Sequence, residues 1–127
     1  MGRLLCRGPQ GPAPAESAIR TVLGACGLMA KARLLVELDV RPDAAEAFVA
    51  MFRDEFISRS RTEAGCETYE LWFEADRPAR MTIIEVWSSA EDLDVHLAQD
   101  WFSVWAPKME AAQATPLVVR RMVSAEN

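Results

Sequence analysis

The chain has 127 residues, a length typical of a single domain. Half of the residues are hydrophobic and 26% are charged, which excludes an intrinsically disordered chain, collagen and a coiled coil. Because 19 acidic residues outweigh 14 basic ones and give a net charge of −5, nucleic acid is not an expected partner.

The first 28 residues differ in composition from the rest. They hold five of the six glycines and three of the seven prolines. Their three arginines and one glutamate give a net charge of +2, which leaves −7 for residues 29–127. We therefore predict that residues 1–28 are a disordered leader or an upstream extension and that 29–127 form the folded domain. The alternative is a secretion signal on the apolar stretch 22–30. This stretch is well short of the roughly 18–20 apolar residues that span a bilayer, so we expect no membrane partner.

Cysteine and histidine content limits disulfide and metal chemistry. Cys6 and Cys26 fall in the leader, which leaves Cys66 alone in the body, and no C-x-x-C spacing is present. A single histidine excludes a multi-histidine metal site. We therefore expect no metal and a reducing, cytoplasmic location.

The body begins with a strand and a helix. Alternation of apolar and charged residues over 32–40 predicts a half-buried strand, which Pro42 ends. Asp43 with Glu46 forms a capping-box pattern that predicts the start of a helix. The helix carries an apolar stripe formed by Phe48, Phe52 and Phe56.

Two strands and a second helical region follow. Gly65 supplies a turn before a strand over 66–74, in which Tyr69 alternates to the face opposite Cys66. Residues 75–79 form a hairpin loop that leads to a third strand over 81–87. The next helix is predicted to start at a second capping-box pattern, formed by Ser88 and Glu91. One side of this helix carries Leu93, His96 and Leu97. A further helical segment leads to a last strand over 117–123.

The predicted order is β-α-β-β-α-β, the ferredoxin-like α+β arrangement of a four-stranded antiparallel sheet with helices on one face. The third strand offers apolar residues to both faces, with Ile84 and Val86 opposite Ile83 and Trp87. Because the helices cover only one face, we expect a homodimer that packs sheet against sheet.

Glu85 is the first candidate for chemistry. It shares a strand face with Trp87, and the apolar Ile83 on that face indicates that the face lies beneath the helices. A carboxylate in that position needs a partner, or its pKa rises. The pattern is equally compatible with two interpretations of Glu85: an ion pair with Arg120 or Arg121, or a functional role.

His96 is the second candidate, because histidine is the side chain whose ordinary pKa lies near neutrality. We expect it to point toward the sheet, either as a catalytic base or as a structural histidine bonded to a carbonyl or to Glu85. Phe52 and Trp101 are core residues or the lining of a cavity for an aromatic ligand. The sequence has no phosphate-binding loop and no serine-hydrolase motif, which argues against nucleotide-dependent chemistry.

Two segments of the sequence resemble a known family. One is 61–69, Arg-Thr-Glu-Ala-Gly-Cys-Glu-Thr-Tyr, and the other has the spacing Glu85-x-Trp87-x-Ser89-x-x-x-Leu93-x-x-His96-Leu97. Together they resemble the antibiotic biosynthesis monooxygenase (ABM) family, with its quinol-monooxygenase branch the closest in pattern. The resemblance extends over residues 32–123.

This resemblance implies a dimeric α+β barrel and cofactor-independent oxygenation of a small aromatic, such as a quinol, phenol or anthrone, by O2. The deprotonated substrate passes an electron to O2, so the protein supplies a dry pocket and a base. His96 matches the helix histidine of quinol-oxidising members and Trp87 the strand tryptophan of polyketide-oxidising ones, so both are candidate catalytic residues. The candidate substrate-binding residues are Glu85, Tyr69, Phe52 and Trp101.

The sequence also departs from parts of the family pattern. Polyketide-oxidising members have an asparagine four residues before that tryptophan and a tyrosine six residues after it, where this chain has Ile83 and Leu93. The haem-degrading branch needs an asparagine on the first strand, but the only asparagine here is Asn127, and Ala106 stands where a haem ligand is expected. We therefore expect neither of these mechanisms. Two hypotheses remain: a quinol-type monooxygenase without a cofactor, and a non-catalytic, dimeric ligand-binding domain of the same fold.

Overall fold

A computed structural model of the chain describes residues 30–126. Four strands form one antiparallel sheet in the order β2-β3-β1-β4. The strands are β1 Ala32–Asp39, β2 Cys66–Phe73, β3 Arg80–Trp87 and β4 Val118–Val123. The predicted ferredoxin-like α+β fold is confirmed. The predicted leader, 1–28, lies outside the described residues, and its boundary stays a prediction.

In the described part of the chain, three helical regions accompany this sheet. The first, α1, runs over 42–60, and the other two are α2 Ala90–Leu97 and α3 Asp100–Ala111. Within α1 the helix type changes along the chain, through a 3₁₀ turn Pro42–Ala44, an α-helix Ala45–Met51, a π-helical stretch Phe52–Ile57 and a last turn Ser58–Ser60. The apolar stripe predicted on α1 is buried in the core, with Phe52 and Phe56 both 0% exposed.

Both predicted capping boxes were wrong in their details. The residue before the first turn of α1 is Arg41, and no side chain caps that turn. Pro42 occupies the first helical position, where its fixed φ favours the turn and its missing N–H leaves one fewer donor to satisfy. At α2 the cap is Ser89, whose hydroxyl accepts a hydrogen bond from the backbone N–H of Asp92. Ser88 remains tied to the preceding turn, because its N–H donates to the carbonyl of Gly65 at 2.8 Å.

The inner face of the sheet, which packs against the helices, follows the predicted alternation on β3. Ile83, Glu85 and Trp87 are buried, whereas Ile84 and Val86 on the outer face are only half-buried. This alternation places the carboxyl group of Glu85 in the interior, among side chains that are mostly apolar.

Cys66 lies on the inner face of the sheet, although simple alternation predicts the outer face. The reason is a β-bulge between Cys66 and Thr68, which leaves Glu67 unpaired and shifts the phase of the strand by one residue. Cys66 therefore sits opposite Trp87, on the same face as Tyr69. Burial, with the nearby Glu85 carboxyl, raises the pKa of the Cys66 thiol to about 11, so the thiol is protonated near neutral pH.

The outer face carries exposed apolar side chains. Trp72 is 57% exposed, and Val118 and Met122 on β4 are also exposed. Exposed apolar surface of this kind is what the predicted sheet-to-sheet homodimer would cover. The homodimer itself stays a prediction.

Candidate functional site

A cavity of about 340 Å³ lies between the inner face of the sheet and α3. Its lining is mainly apolar and includes Leu97, Phe102, Met109 and Val119. Four residues with polar groups, Tyr69, Glu85, Glu110 and Arg121, belong to the same lining. A largely apolar cavity with a few convergent polar groups is typical of a small-molecule site.

A second pocket, of about 370 Å³, opens at the far ends of β2 and β3. It is lined by Trp72, Glu74, Arg80 and Thr82 among others and lies away from His96. Its lining is more polar, and neither Tyr69 nor Glu85 belongs to it. The cavity beside α3 is therefore the candidate site.

Three of the polar residues of the cavity, Tyr69, Glu85 and Arg121, lie in one cross-strand row. The strand register pairs Tyr69 with Glu85, Glu85 with Leu34, and Leu34 with Arg121. Since neighbouring strands lie about 4.8 Å apart, Glu85 and Arg121 are separated by roughly 10 Å across the sheet. Glu85 and Arg121, which both line the cavity, therefore stand two strands apart on the same face of the sheet.

Glu85 is 2% exposed and accepts a hydrogen bond from the indole N–H of Trp87 at 3.0 Å. Burial raises the pKa of Glu85 to about 7, and the Trp87 indole and the Tyr69 hydroxyl oppose this rise. The predicted ion pair with an arginine is wrong. Arg120 points to the outer face and bonds to Glu37, while Arg121 donates to Asp94 of α2 at 2.7 Å.

His96 is fully buried and lies between two carboxyl groups. Its Nδ1 lies 2.8 Å from Oε1 of Glu63, and its Nε2 lies 3.8 Å from Oε1 of Glu85. Among the described residues, Nε2 has no hydrogen-bond partner. The predicted hydrogen bond to a carbonyl or to Glu85 is therefore wrong, and Glu63 is the partner. Burial lowers the pKa of His96, and the hydrogen bond with Glu63 opposes this shift.

Glu63 is the residue of this cluster that sequence reasoning missed. It lies in the loop between α1 and β2, and its second oxygen accepts a hydrogen bond from the indole N–H of Trp101 at 3.0 Å. The side chain of Glu63 is only 13% exposed. Its place in the Glu-Ala-Gly-Cys segment that carries the family resemblance was the only signal available in the sequence.

The loop that carries Glu63 depends on a glycine. Gly65 has φ of +82°, in the left-handed region where side chains are strained. A Cβ at this position would lie 2.2 Å from a carboxyl oxygen of Asp92, in the first turn of α2. The close approach of this loop to α2 brings Glu63 within reach of His96 on the same helix.

Trp87 and His96 pack against each other with no cavity between them. Their ring centroids are 4.6 Å apart, and Trp87 is 0% exposed. Tyr69 packs edge-on against both rings. Burial raises the pKa of Tyr69 well above its usual range, so its hydroxyl keeps its proton and can donate a hydrogen bond.

The predicted site residues separate into two layers. Tyr69 and Glu85 line the cavity. His96, Trp87 and Phe52 are fully buried behind them, and Phe52 stacks on Tyr69 at a centroid distance of 5.8 Å. The half-buried Trp101 lies outside the cavity lining and donates a hydrogen bond from its indole N–H to Glu63.

Two kinds of feature are absent from residues 30–126. None of the helices in this range is long and apolar enough to cross a membrane. No group of three or more His, Cys, Asp or Glu side chains is arranged there so that it could hold a metal ion.

Fold and cavity together define a small α+β domain with a ligand-sized space between its sheet and its helices. Residues 32–114 match the family model of antibiotic biosynthesis monooxygenases. The chain belongs to this ABM family.

Individual proteins resemble the chain over much of its length. An uncharacterised protein of Synechocystis is 29% identical over 83 residues, which are 65% of this chain and 56% of that protein. The chain therefore spans just over half the length of this curated relative. A conserved protein from Methanosarcina mazei superposes with a TM-score of 0.70 at 22% identity, covering 76% of this chain and 95% of the other. A proposed antibiotic biosynthesis monooxygenase from Caulobacter crescentus gives 0.71 at 22% identity, with 80% and 95% covered. At these identities the two structures support the fold alone.

Proposed function

We propose that this domain is a monooxygenase that oxygenates a small quinol-like or phenolic aromatic with O2, without a bound cofactor. The observation that carries the proposal is Glu85 in an apolar cavity, with its pKa raised to about 7. A general base is most effective when its pKa lies near the working pH. Membership of the ABM family supports the reaction class. The quinol branch stays a prediction.

The reaction needs no external reductant, because the substrate supplies the electrons. Loss of a proton from a phenol oxygen or an activated methylene leaves an anion that passes one electron to O2, and the two radicals then combine. Loss of water completes the reaction, so a quinol and O2 give a hydroxyquinone and water. An anthrone methylene and O2 give a ketone and water in the same way. The protein removes the first proton in a dry cavity.

We assign the contact with substrate to Glu85 rather than to His96. Glu85 lines the cavity, whereas His96 is fully buried behind it. Glu85 takes the proton, His96 is its proton partner at 3.8 Å, and Trp87 holds the carboxylate through its indole N–H. Tyr69, in the same row, has one O–H donor, which turns from Glu85 to the substrate oxygen once Glu85 is protonated and negative charge develops on the substrate.

Arg121 favours a substrate with two oxygen groups. A quinol that presents one hydroxyl to Glu85 directs its second oxygen along the row toward Arg121. Among the described residues, both hydrogen bonds of Arg121 use Nη2, to Asp94 and to the carbonyl of Ala90. Its remaining N–H donors are therefore available to an oxygen of the substrate.

O2 uptake with a panel of hydroquinones and anthrones, without added flavin or metal, tests the proposal. We expect uptake with at least one member of the panel and incorporation of one labelled atom from ¹⁸O2. Substrate binding without uptake would favour the second hypothesis, a ligand-binding domain of the same fold. A His96→Ala variant that consumed O2 as fast as the wild type would remove the role of His96 and leave the activity standing.

We also propose that a second copy of the chain covers the outer face of the sheet. Trp72, Val118 and Met122 are exposed there, beside the half-buried Ile84 and Val86. Light scattering at micromolar concentration should give the mass of a dimer, both for the full chain and after deletion of 1–28. Ile84→Lys should give a monomer, whereas Val104→Lys on the exposed side of α3 should remain dimeric. A monomeric wild type would contradict this proposal. The cytoplasmic location also stays a prediction.

A further inference from the structure

We infer that Glu63 fixes His96 in the tautomer that carries its proton on Nδ1, so that an unprotonated Nε2 faces Glu85. Glu63 would then be a positioning residue that sets the direction of proton transfer. Its consequence for catalysis rests on the proposed function, whereas the tautomer itself can be measured without any substrate.

The hydrogen bonds of Glu63 decide which atom holds the proton between Glu63 and His96. An indole N–H can only donate, so Oε2 of Glu63 must accept from Trp101. The other oxygen, Oε1, lies 2.8 Å from Nδ1 of His96, and one proton is shared by these two atoms. Because a carboxylic acid is ordinarily a stronger acid than an imidazolium, this proton belongs on the nitrogen. Nδ1 is therefore the donor.

The state of Nε2 follows from that of Nδ1. Burial lowers the pKa of His96, so the ring is neutral near neutral pH, and a neutral ring with a proton on Nδ1 has none on Nε2. Nε2 lies 3.8 Å from Glu85 and has no hydrogen-bond partner among the described residues. The other titratable side chain packed against the ring is Tyr69 of β2, whose raised pKa keeps its hydroxyl neutral.

This arrangement gives the proton of the substrate a defined route. The O–H or C–H bond of the substrate breaks as an O–H bond forms on Glu85. That O–H bond then breaks as an N–H bond forms at Nε2, which restores the Glu85 carboxylate. The resulting imidazolium is stabilised by Glu63 at 2.8 Å, and its proton is available for the water that leaves later.

The decisive measurement is the tautomer. His96 is the only histidine in the chain, so ¹⁵N-labelling of histidine gives one pair of ring nitrogen resonances. At pH 8 we expect the wild type to show the pattern of a protonated Nδ1 and an unprotonated Nε2. A wild type with its proton on Nε2 overturns the inference, whether or not any variant folds.

Glu63→Gln should reverse the tautomer. The indole N–H of Trp101 can only donate, so it bonds to the amide oxygen of the new side chain. The NH2 group of that side chain then faces Nδ1 of His96, and Nδ1 becomes an acceptor. The ring proton then moves to Nε2, toward Glu85. The matched control is Glu85→Gln, which leaves Glu63 in place and should keep the proton on Nδ1. A folded Glu63→Gln variant that still carries its proton on Nδ1 also overturns the inference.

The pH profile separates positioning from a merely structural role. In Glu63→Gln, an Nε2–H directed at Glu85 favours the carboxylate form of Glu85, so the pKa of Glu85 should fall. The acidic limb of the pH–rate profile of O2 uptake should therefore move to lower pH. Loss of packing alone would lower stability and leave the limb in place, which would overturn the positioning role. If the wild type has the expected tautomer but consumes no O2, the proposed function fails and the tautomer stands. If it consumes O2 with the opposite tautomer, the inference on Glu63 fails alone.

Discussion

Oε1 of Glu85 and Nε2 of His96 lie 3.8 Å apart with almost no exposure to solvent. This separation is too long for a hydrogen bond, but it is short enough for a proton to pass after a small movement of either side chain. Burial raises the pKa of the carboxyl to about 7 and lowers that of the imidazole, so it favours the uncharged form of both groups. Titratable groups whose pKa values are shifted in a cleft are candidates for catalysis, and this pair meets that description.

Glu85→Gln should abolish most of the O2 uptake. The amide is similar in size but cannot take a proton from the substrate, so we expect kcat to fall by about 100-fold or more. The matched control is Glu110→Gln, because Glu110 is the other carboxyl that lines the cavity but is exposed to solvent. We expect its rate to stay within about twofold of the wild type, since exposed charges are screened. Equal effects of the two substitutions would show that Glu85 is not the base.

Glu85 should also make the stability depend on pH. The pKa of Glu85 is about 7 in the folded protein, whereas the ordinary value, expected in the unfolded chain, is 4.5. Between pH 4.5 and 7 the folded chain therefore holds a proton that the unfolded chain has released. The free energy of unfolding contributed by this group therefore falls as pH rises from 4.5 through 7, by roughly 3 kcal/mol at most. Urea unfolding of the wild type and Glu85→Gln across pH 4–8 measures this difference. Parallel curves for the two proteins would contradict the raised pKa.

Gly65→Ala should destabilise the fold. The φ of +82° is strained for alanine, and the new Cβ would lie 2.2 Å from the Asp92 carboxyl, which must then move from its place beside the Ser89 cap. We expect a loss of about 2–4 kcal/mol in the free energy of unfolding.

A double-mutant cycle separates the two causes. With Asp92→Gly as the background, the clash is removed and only the backbone strain remains, so Gly65→Ala should cost about 1–2 kcal/mol. The same cost in both backgrounds would assign the whole effect to the backbone. A cost below about 0.5 kcal/mol in the wild-type background would mean that this loop does not require glycine.

Arg121→Gln should weaken substrate binding more than it slows the reaction. If Arg121 holds the second oxygen of a quinol, its loss should raise KM about tenfold, equal to about 1.4 kcal/mol, with little change in kcat. Arg120→Gln is the matched control, because Arg120 neighbours Arg121 on β4 but points to the outer face and bonds to Glu37. The KM for a phenol with a single oxygen should not respond to either substitution. A fall in kcat without a change in KM would place Arg121 in the chemistry instead.

The sequence by itself determined the order of the elements and the faces of the sheet. Period-two alternation over β3 assigns Glu85 and Trp87 to one face and Ile84 and Val86 to the other, because a strand turns its side chains to alternate sides whatever its neighbours are. The spacing of Phe48, Phe52 and Phe56 likewise specifies a buried helix face. These are local properties of the chain, and the structure confirms them.

Only the tertiary structure decided the partners of the site residues. Glu63 and His96 are 33 positions apart, and they meet because Gly65 lets the loop approach α2. The bulge at Glu67 moved Cys66 to the inner face, and Arg121 turned to Asp94 rather than to Glu85. Periodicity specifies which way a side chain points but not which distant group it meets. That choice depends on the path of the loops and on how the buried polar atoms are satisfied once the helices have packed on the sheet.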